Sequence, residues 1–277
     1  MKKSFIFRTF LVLTCAIISL CFCTGCLGDN ACVSKVKNIF GELKGCFGDV
    51  KGAFVDWSEV YLYNNGKIIG LTEHGKTLDT LTVPNDINGQ PVYELGANVF
   101  KDNEVVKTVK ISNGIQRIGA SAFKGCPALT SVTVPNSVTE IGASAFAKCE
   151  LLNSVNLPSG LTVLNDLTFS FCPSLTKIQI PSGVKTIGSG VFRGCSMLNS
   201  VNIPSETTII YSLAFMDCTS LTKITIPSKV VSMGYYAFQG CDNLEDIYCA
   251  SYSKPNAWDK QWKGDCSAIV HWGNSGI

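Results

Sequence analysis

Thiols are the residues of this chain with the widest chemistry, and six of them keep a fixed spacing. Cys126, Cys149, Cys172, Cys195, Cys218 and Cys241 follow one another every 23 residues. A row of thiols suggests metal binding or redox exchange. Two observations speak against both. The equivalent place one interval earlier is Asn103, which can form no disulfide. Strands stacked in register stand ~4.8 Å apart with parallel side chains, which leaves neighbouring Cβ atoms beyond the ~3.5–4.5 Å of a bridge. The six are therefore expected to be reduced and buried, each a small side chain that fits an inner corner and hydrogen-bonds backbone.

The other reactive residues are scattered. Cys249 and Cys266 lie 17 residues apart near the C-terminus and leave two readings open, a disulfide or two unpaired buried thiols. Cys32 and Cys46 are 14 apart on one segment and cannot bridge within a straight helix, which would hold them ~21 Å apart. His74 and His271 are the only histidines, at opposite ends of the repeats. No Ser/His/Asp set, metal-spaced cluster or phosphate loop is present, so no catalytic residue, metal or cofactor is expected. Trp258 and Trp262, four apart after Pro255, are expected on one helix face, and Trp272 ends an Ala268-Ile269-Val270 strand. These aromatics could form a sugar platform; sealing the last repeat is the favoured role.

What positions the thiols is the repeat itself. FKGCPALTSVTVP from Phe123 returns as FAKCELLNSVNLP, FSFCPSLTKIQIP, FRGCSMLNSVNIP and FMDCTSLTKITIP, with a worn copy, FQGCDNLEDIYC, from Phe238. Its anchors are Phe100, Phe123, Phe146, Phe169, Phe192, Phe215 and Phe238. A period in the range of about 20–29 with spaced leucines marks a leucine-rich-repeat solenoid. In one coil Leu129, Val132 and Val134 alternate with Ser131 and Thr133, a short strand with one buried face. Pro135 ends it, Val138 and Ile141 begin the return, and Ala145-Phe146 turns the corner. The expected fold class is an α/β leucine-rich-repeat solenoid: horseshoe-like, strand-rich, one parallel sheet, short turns or helices on the return side. Thr207 and Tyr211 depart from the repeat, and a local bulge is expected over Ser205–Tyr211.

The alternation also names the residues that face outward. They are Thr80/Thr82, Thr108/Lys110, Ser131/Thr133, Ser154/Asn156, Lys177/Gln179, Ser200/Asn202, Lys223/Thr225 and Asp246/Tyr248. Small, polar and mildly basic, this face has no large anchor except Tyr248. It is either plain solvated strand surface or a shallow, extended site for an extracellular protein or glycan.

Around the repeats the chain divides into 1–25, a signal peptide; 26–57, an amphipathic tether or capping helix; 58–77, an N-terminal hairpin cap; 78–249, the solenoid; and 250–277, a C-terminal cap. The hairpin rests on Asn64-Asn65-Gly66, and the helix on Val33, Val36, Phe40, Leu43, Phe47, Val50 and Phe54 at intervals of three and four. The leader pairs Lys2, Lys3 and Arg8 with an apolar run from Phe10 to Cys23. A net charge of +2 with 16% charged residues leaves nothing to neutralise nucleic-acid phosphates.

Two resemblances follow. Cys23-Thr24-Gly25-Cys26 resembles the lipobox of bacterial lipoproteins, although Cys23 stands where that motif prefers leucine. It implies export, acylation of Cys26 and a lipid anchor in the membrane, against simple secretion or an uncleaved anchor. The repeat, with Phe123, Cys126, Leu129, Pro135, Val138, Ile141 and Gly142 all matching, resembles the BspA-like bacterial surface proteins over roughly 78–249. The closing segment from Ile247 resembles that family's usual ending. The resemblance implies a non-catalytic cell-surface or envelope protein that mediates adhesion to host or matrix macromolecules. An envelope assembly module that recruits another surface protein is the first alternative, and an enzyme with a solenoid accessory the second.

Overall fold

The structure is a computed structural model that describes residues 56–274. The leader, Cys26, Cys32, Cys46 and the 26–57 helix up to residue 55 lie outside the described residues. From Asp56 onward the chain winds as a β-solenoid, each coil named here by its phenylalanine. The front strands are Thr80–Val83, Thr108–Ile111, Ser131–Thr133, Ser154–Val155, Lys177–Ile178, Ser200–Val201, Lys223–Ile226 and Asp246–Cys249. Neighbours that pair are parallel and in register, Ser131 opposite Thr108 and Ser154 opposite Ser131.

Of the short turns or helices expected on the return side, the structure has turns, joined by short strands. Among the described residues, helix is limited to two three-residue 3-10 turns, Trp57–Glu59 and Gly75–Thr77. A second parallel ladder of two-residue strands fills the returns, with Glu140 opposite Arg117 and Ile141 opposite Ile118. The reason is length. Between a front strand and the next corner only about a dozen residues are available, and a helix of two or three turns with its own connections would not fit. The return strands still bury alternate residues, because their hydrogen bonds come from the coils on either side.

Corners lock the coils together. Ser121, Phe123 and Gly125 donate their N–H groups forward to the carbonyls of Ala143, Ala145 and Ala147 at 2.8–2.9 Å. Such spacing sets two residues of each corner in the left-handed region, Ser144 (φ 57°) and Lys148 (φ 59°) in the Phe146 coil, Gly190 and Gly194 in the Phe192 coil. Gly142 is needed for another reason: a Cβ there would lie 2.4 Å from the backbone nitrogen of Ala120. Tyr211 occupies the same place in its coil. The bulge expected around it is absent, since Ile209 and Ile210 pair in register with Thr186 and Ile187. Tyr211 turns its ring to solvent, and its N–H keeps the inter-coil bond to Ile187 at 2.9 Å. Thr207, fully buried where other coils have an aliphatic residue, donates its hydroxyl to the Val184 carbonyl at 2.9 Å.

The anchor phenylalanines form one continuous stack. Ring centroids from Phe100 to Phe238 follow at 4.8–5.8 Å with planes within 19° of parallel. At each end the stack meets a ring edge-on, Tyr61 at 77° and Trp262 at 85°. Tyr61 belongs to the hairpin of Tyr61–Asn64 and Lys67–Leu71, turned by Asn65 and Gly66 at positive φ. That hairpin joins the return ladder through Lys67–Leu71, which pairs in parallel with Glu94–Leu95.

At the other end Ile269–Trp272 adds a parallel strand beyond residue 249, with Tyr248 opposite His271. One expectation is corrected in this segment. Trp258 and Trp262 are buried and lie edge-to-face at 5.0 Å, but they share no helix: Trp258 bridges in parallel to Met233, and Trp262 sits in a turn. Trp262 takes the corner place of a phenylalanine, so its spacing from Trp258 reflects a coil and not a helical turn. Of the two readings left open for Cys249 and Cys266, the structure has the unpaired one: both are free and buried. Cys249 lies within the closing sheet opposite Trp272, while the Cys266 sulfur is 3.9 Å from the Cys241 carbonyl oxygen, at the end of the thiol row.

Candidate binding face

The thiol row is structural. Each Sγ–H donates to the carbonyl of the phenylalanine one coil back: Cys126 to Phe100, Cys149 to Phe123 and Cys172 to Phe146 at 3.0 Å, Cys195 and Cys218 at 3.2 Å, Cys241 at 3.1 Å. Asn103 meets the same demand with its amide, bonding the N–H groups of Val105 and Val106 and the Lys76 carbonyl. Burial pushes Cys172 and Cys241 up to about 12 and holds Cys195 and Cys218 well above the ordinary thiol value. Cys149 is raised first by its contact with Cys126 and then by burial. Nucleophilic and metal chemistry need thiolate, and it is suppressed at these five cysteines.

Outward-pointing residues of the front strands form the accessible surface. From Thr108 to Thr225 the two rows are exposed or half-buried in every coil. They hold Thr108, Lys110, Ser131, Thr133, Ser154, Asn156, Lys177, Gln179, Ser200, Asn202, Lys223 and Thr225, with no carboxylate among them. Lys110, Lys177 and Lys223 enter no ion pair among the described residues. Asn156 is partly engaged by the fold: its amide donates to the Val134 carbonyl at 2.8 Å and accepts from the Val134 N–H at 3.3 Å. The hydrogen-bonded ladder is interrupted between Ser154–Val155 and Lys177–Ile178 and between Ser200–Val201 and Lys223–Ile226. The stacked rings beneath continue across both interruptions.

At the C-terminal end the face changes character. Asp246 and Tyr248 are joined by His271, whose Nε2 is 2.7 Å from Asp246 Oδ1 and whose ring stacks on Tyr248 at 4.8 Å and 17°. Residue reasoning left His271 apart from the face. The signal was its position, 23 residues after Tyr248, one further repeat interval. His74 takes no part in this cluster; it precedes the Gly75–Thr77 turn.

The return face is the contrasting surface. A shallow groove of about 320 Å³ crosses it, lined by Lys67, Glu94, Arg117 and Glu140 over a floor of Gly119 and Gly142. Its charges are paired, Lys67 with Glu94 at 2.6 Å and Arg117 with Glu140 at 3.2 Å. Among the described residues no cluster of three histidine, cysteine or acidic side chains could hold a metal. The front face can hydrogen-bond, attract anions and present a flat surface; the groove offers neutralised charge.

Comparison with known proteins agrees with this geometry. A family model described as the BspA type leucine rich repeat region matches residues 75–199 and 162–255, in six copies. A leucine-rich cell surface protein from Faecalibacterium prausnitzii is 32% identical over 75% of this chain and 57% of that one, with a TM-score of 0.65. This chain thus spans little more than half the length of that protein. A leucine-rich-repeat protein from T. pallidum is 30% identical over 68% of this chain and 90% of that one, with a TM-score of 0.63. One from Bacteroides ovatus, 22% identical over 80% of this chain and 71% of that one, shares the fold with a TM-score of 0.54. No curated protein matches the chain.

Proposed function

Because the chain belongs to the BspA-type leucine-rich-repeat family, we propose that it is a non-catalytic binding protein of the cell surface, exported and held by a lipid on Cys26, which engages an extracellular macromolecule through its front face. The observation that carries this reading is the face itself: two rows of exposed or half-buried polar side chains with three lysines that enter no ion pair among the described residues, on coils whose thiols are buried. Solenoids commonly bind through such an extended surface. The name of the Faecalibacterium prausnitzii protein, a leucine-rich cell surface protein, supports the location.

Two experiments test the reading. Intact-mass measurement on protein recovered from the producing cell should give a chain that starts at Cys26 and carries acyl groups; an unprocessed or unmodified chain removes the anchor. Capture of immobilised matrix proteins or whole cells tests the face. The double change Lys177→Glu and Lys223→Glu should lower capture by about tenfold, the loss of one or two charge-assisted contacts. Undiminished capture by a folded variant rules out the face.

A further inference from the structure

We propose that the front face, from the strand Thr108–Ile111 to the strand Lys223–Ile226, binds an acidic polysaccharide that lies across successive coils and carries its anionic groups on alternate sugars. The proposal rests on the binding role assigned to that face above and names its ligand.

Charge is the first argument. Over six coils the face carries three lysines that enter no ion pair among the described residues, and no carboxylate. The chain as a whole has a net charge of only +2, so the excess on this strip is local. Carboxylates near its ends are engaged: Asp79 lies 3.3 Å from Lys107, and Asp246 lies 2.7 Å from His271. An anionic ligand meets attraction along the strip and little repulsion at its margins.

Chemistry of the remaining side chains selects between classes of anion. A protein partner needs aromatic, arginine or aliphatic anchors to desolvate, and the twelve outward residues include none. They offer hydroxyls and amides, among them Ser131, Thr133, Gln179 and Asn202, which exchange hydrogen bonds readily with sugar hydroxyls. Spacing is the third argument. Lys177 and Lys223 occupy the same row two coils apart, roughly 10 Å at the usual strand separation. A pyranose unit spans about one coil, so two sugars separated by one meet Lys177 and Lys223. At the far end Tyr248, stacked with His271, supplies the face's aromatic surface.

Titration calorimetry on the full chain tests this, with hyaluronate and chondroitin sulfate oligosaccharides as probes, dextran as neutral control and polyglutamate as acidic-peptide control. Both acidic glycans should bind, and more weakly as salt rises through the range where the Debye length shrinks from about 10 to 3 Å. Dextran and polyglutamate should bind at least about tenfold more weakly. The double variant Lys177→Gln/Lys223→Gln should lose about tenfold, Lys177→Arg/Lys223→Arg should retain binding, and Lys185→Gln, on the return side, should leave it unchanged. Equal binding of dextran or polyglutamate, or an unaffected glutamine variant, overturns the proposal. If neither glycan binds while Lys177→Glu/Lys223→Glu still lowers cell capture, the ligand class fails and the face remains the binding surface. If the glutamate variant also leaves capture intact, both readings fall.

Discussion

At the scale of single residues, the thiols show how a reactive group becomes a packing element. Cys172, Cys241 and Cys249 are each pushed up to about 12 by burial, against 9.0 for a free thiol. Their folded values exceed the unfolded ones, so the fold keeps protons that the unfolded chain has already released. The associated stability is complete below about pH 9 and is lost as pH rises toward 12, at about 1.4 kcal/mol per pH unit for each thiol. Urea unfolding under reductant, at about pH 8 and about pH 10, should show this loss, and Cys172→Ala should flatten the slope by that single-thiol amount. Equal slopes in the two proteins would show that Cys172 ionises as readily in the fold as outside it. Much of this was legible in the sequence, because Asn103 at the same place shows that the position asks for a small hydrogen-bonding side chain. The carbonyl it serves was not legible. The Phe100 oxygen lies one coil away, and only the stacked geometry reveals it.

At the scale of elements, the front strands were readable and the return strands were not. Leu129, Val132 and Val134 announce a strand by alternation within a few residues. Glu140-Ile141 has no such signal, since two residues cannot define a period, and its bonds come from Arg117-Ile118 one coil before. The closing tryptophans misled for a related reason: four-residue spacing is ambiguous between a helix and a corner. Their actual role makes a prediction. Trp262 covers the exposed face of the last phenylalanine ring, and Trp258 donates its indole N–H to the Val230 carbonyl at 3.0 Å. Trp262→Ala should cost about 3–5 kcal/mol locally. In a stacked array the loss stays near the end. Amide hydrogen exchange should therefore quicken in the Phe238 coil and in Ile269–Trp272, and stay unchanged in the Phe123 coil. Uniform quickening along the molecule would mean that the coils unfold as one cooperative unit.

At the scale of the whole molecule, the two faces divide the surface by charge. On the return side cations and anions neutralise each other across coils, whereas the front keeps lysines open to solvent. The sequence placed Lys110, Lys177 and Lys223 on the front through their alternation with apolar neighbours. Their lack of partners depends on contacts between coils 23 or more residues apart, which no single stretch displays. His271 was the residue most easily missed: the strand ending at Trp272 was readable, but not its pairing beside Asp246–Cys249, which sets His271 opposite Tyr248.

The ring stack has a consequence for how such a chain can change through descent. Tyr61 and Trp262 each meet the flat side of a phenylalanine ring, and every coil presents the same flat side. Duplicating or deleting a whole 23-residue unit leaves both ends facing a surface they already fit. The number of coils, and with it the reach of the face, is thus open to change by gain or loss of whole repeats, without any compensating change at the two capping rings.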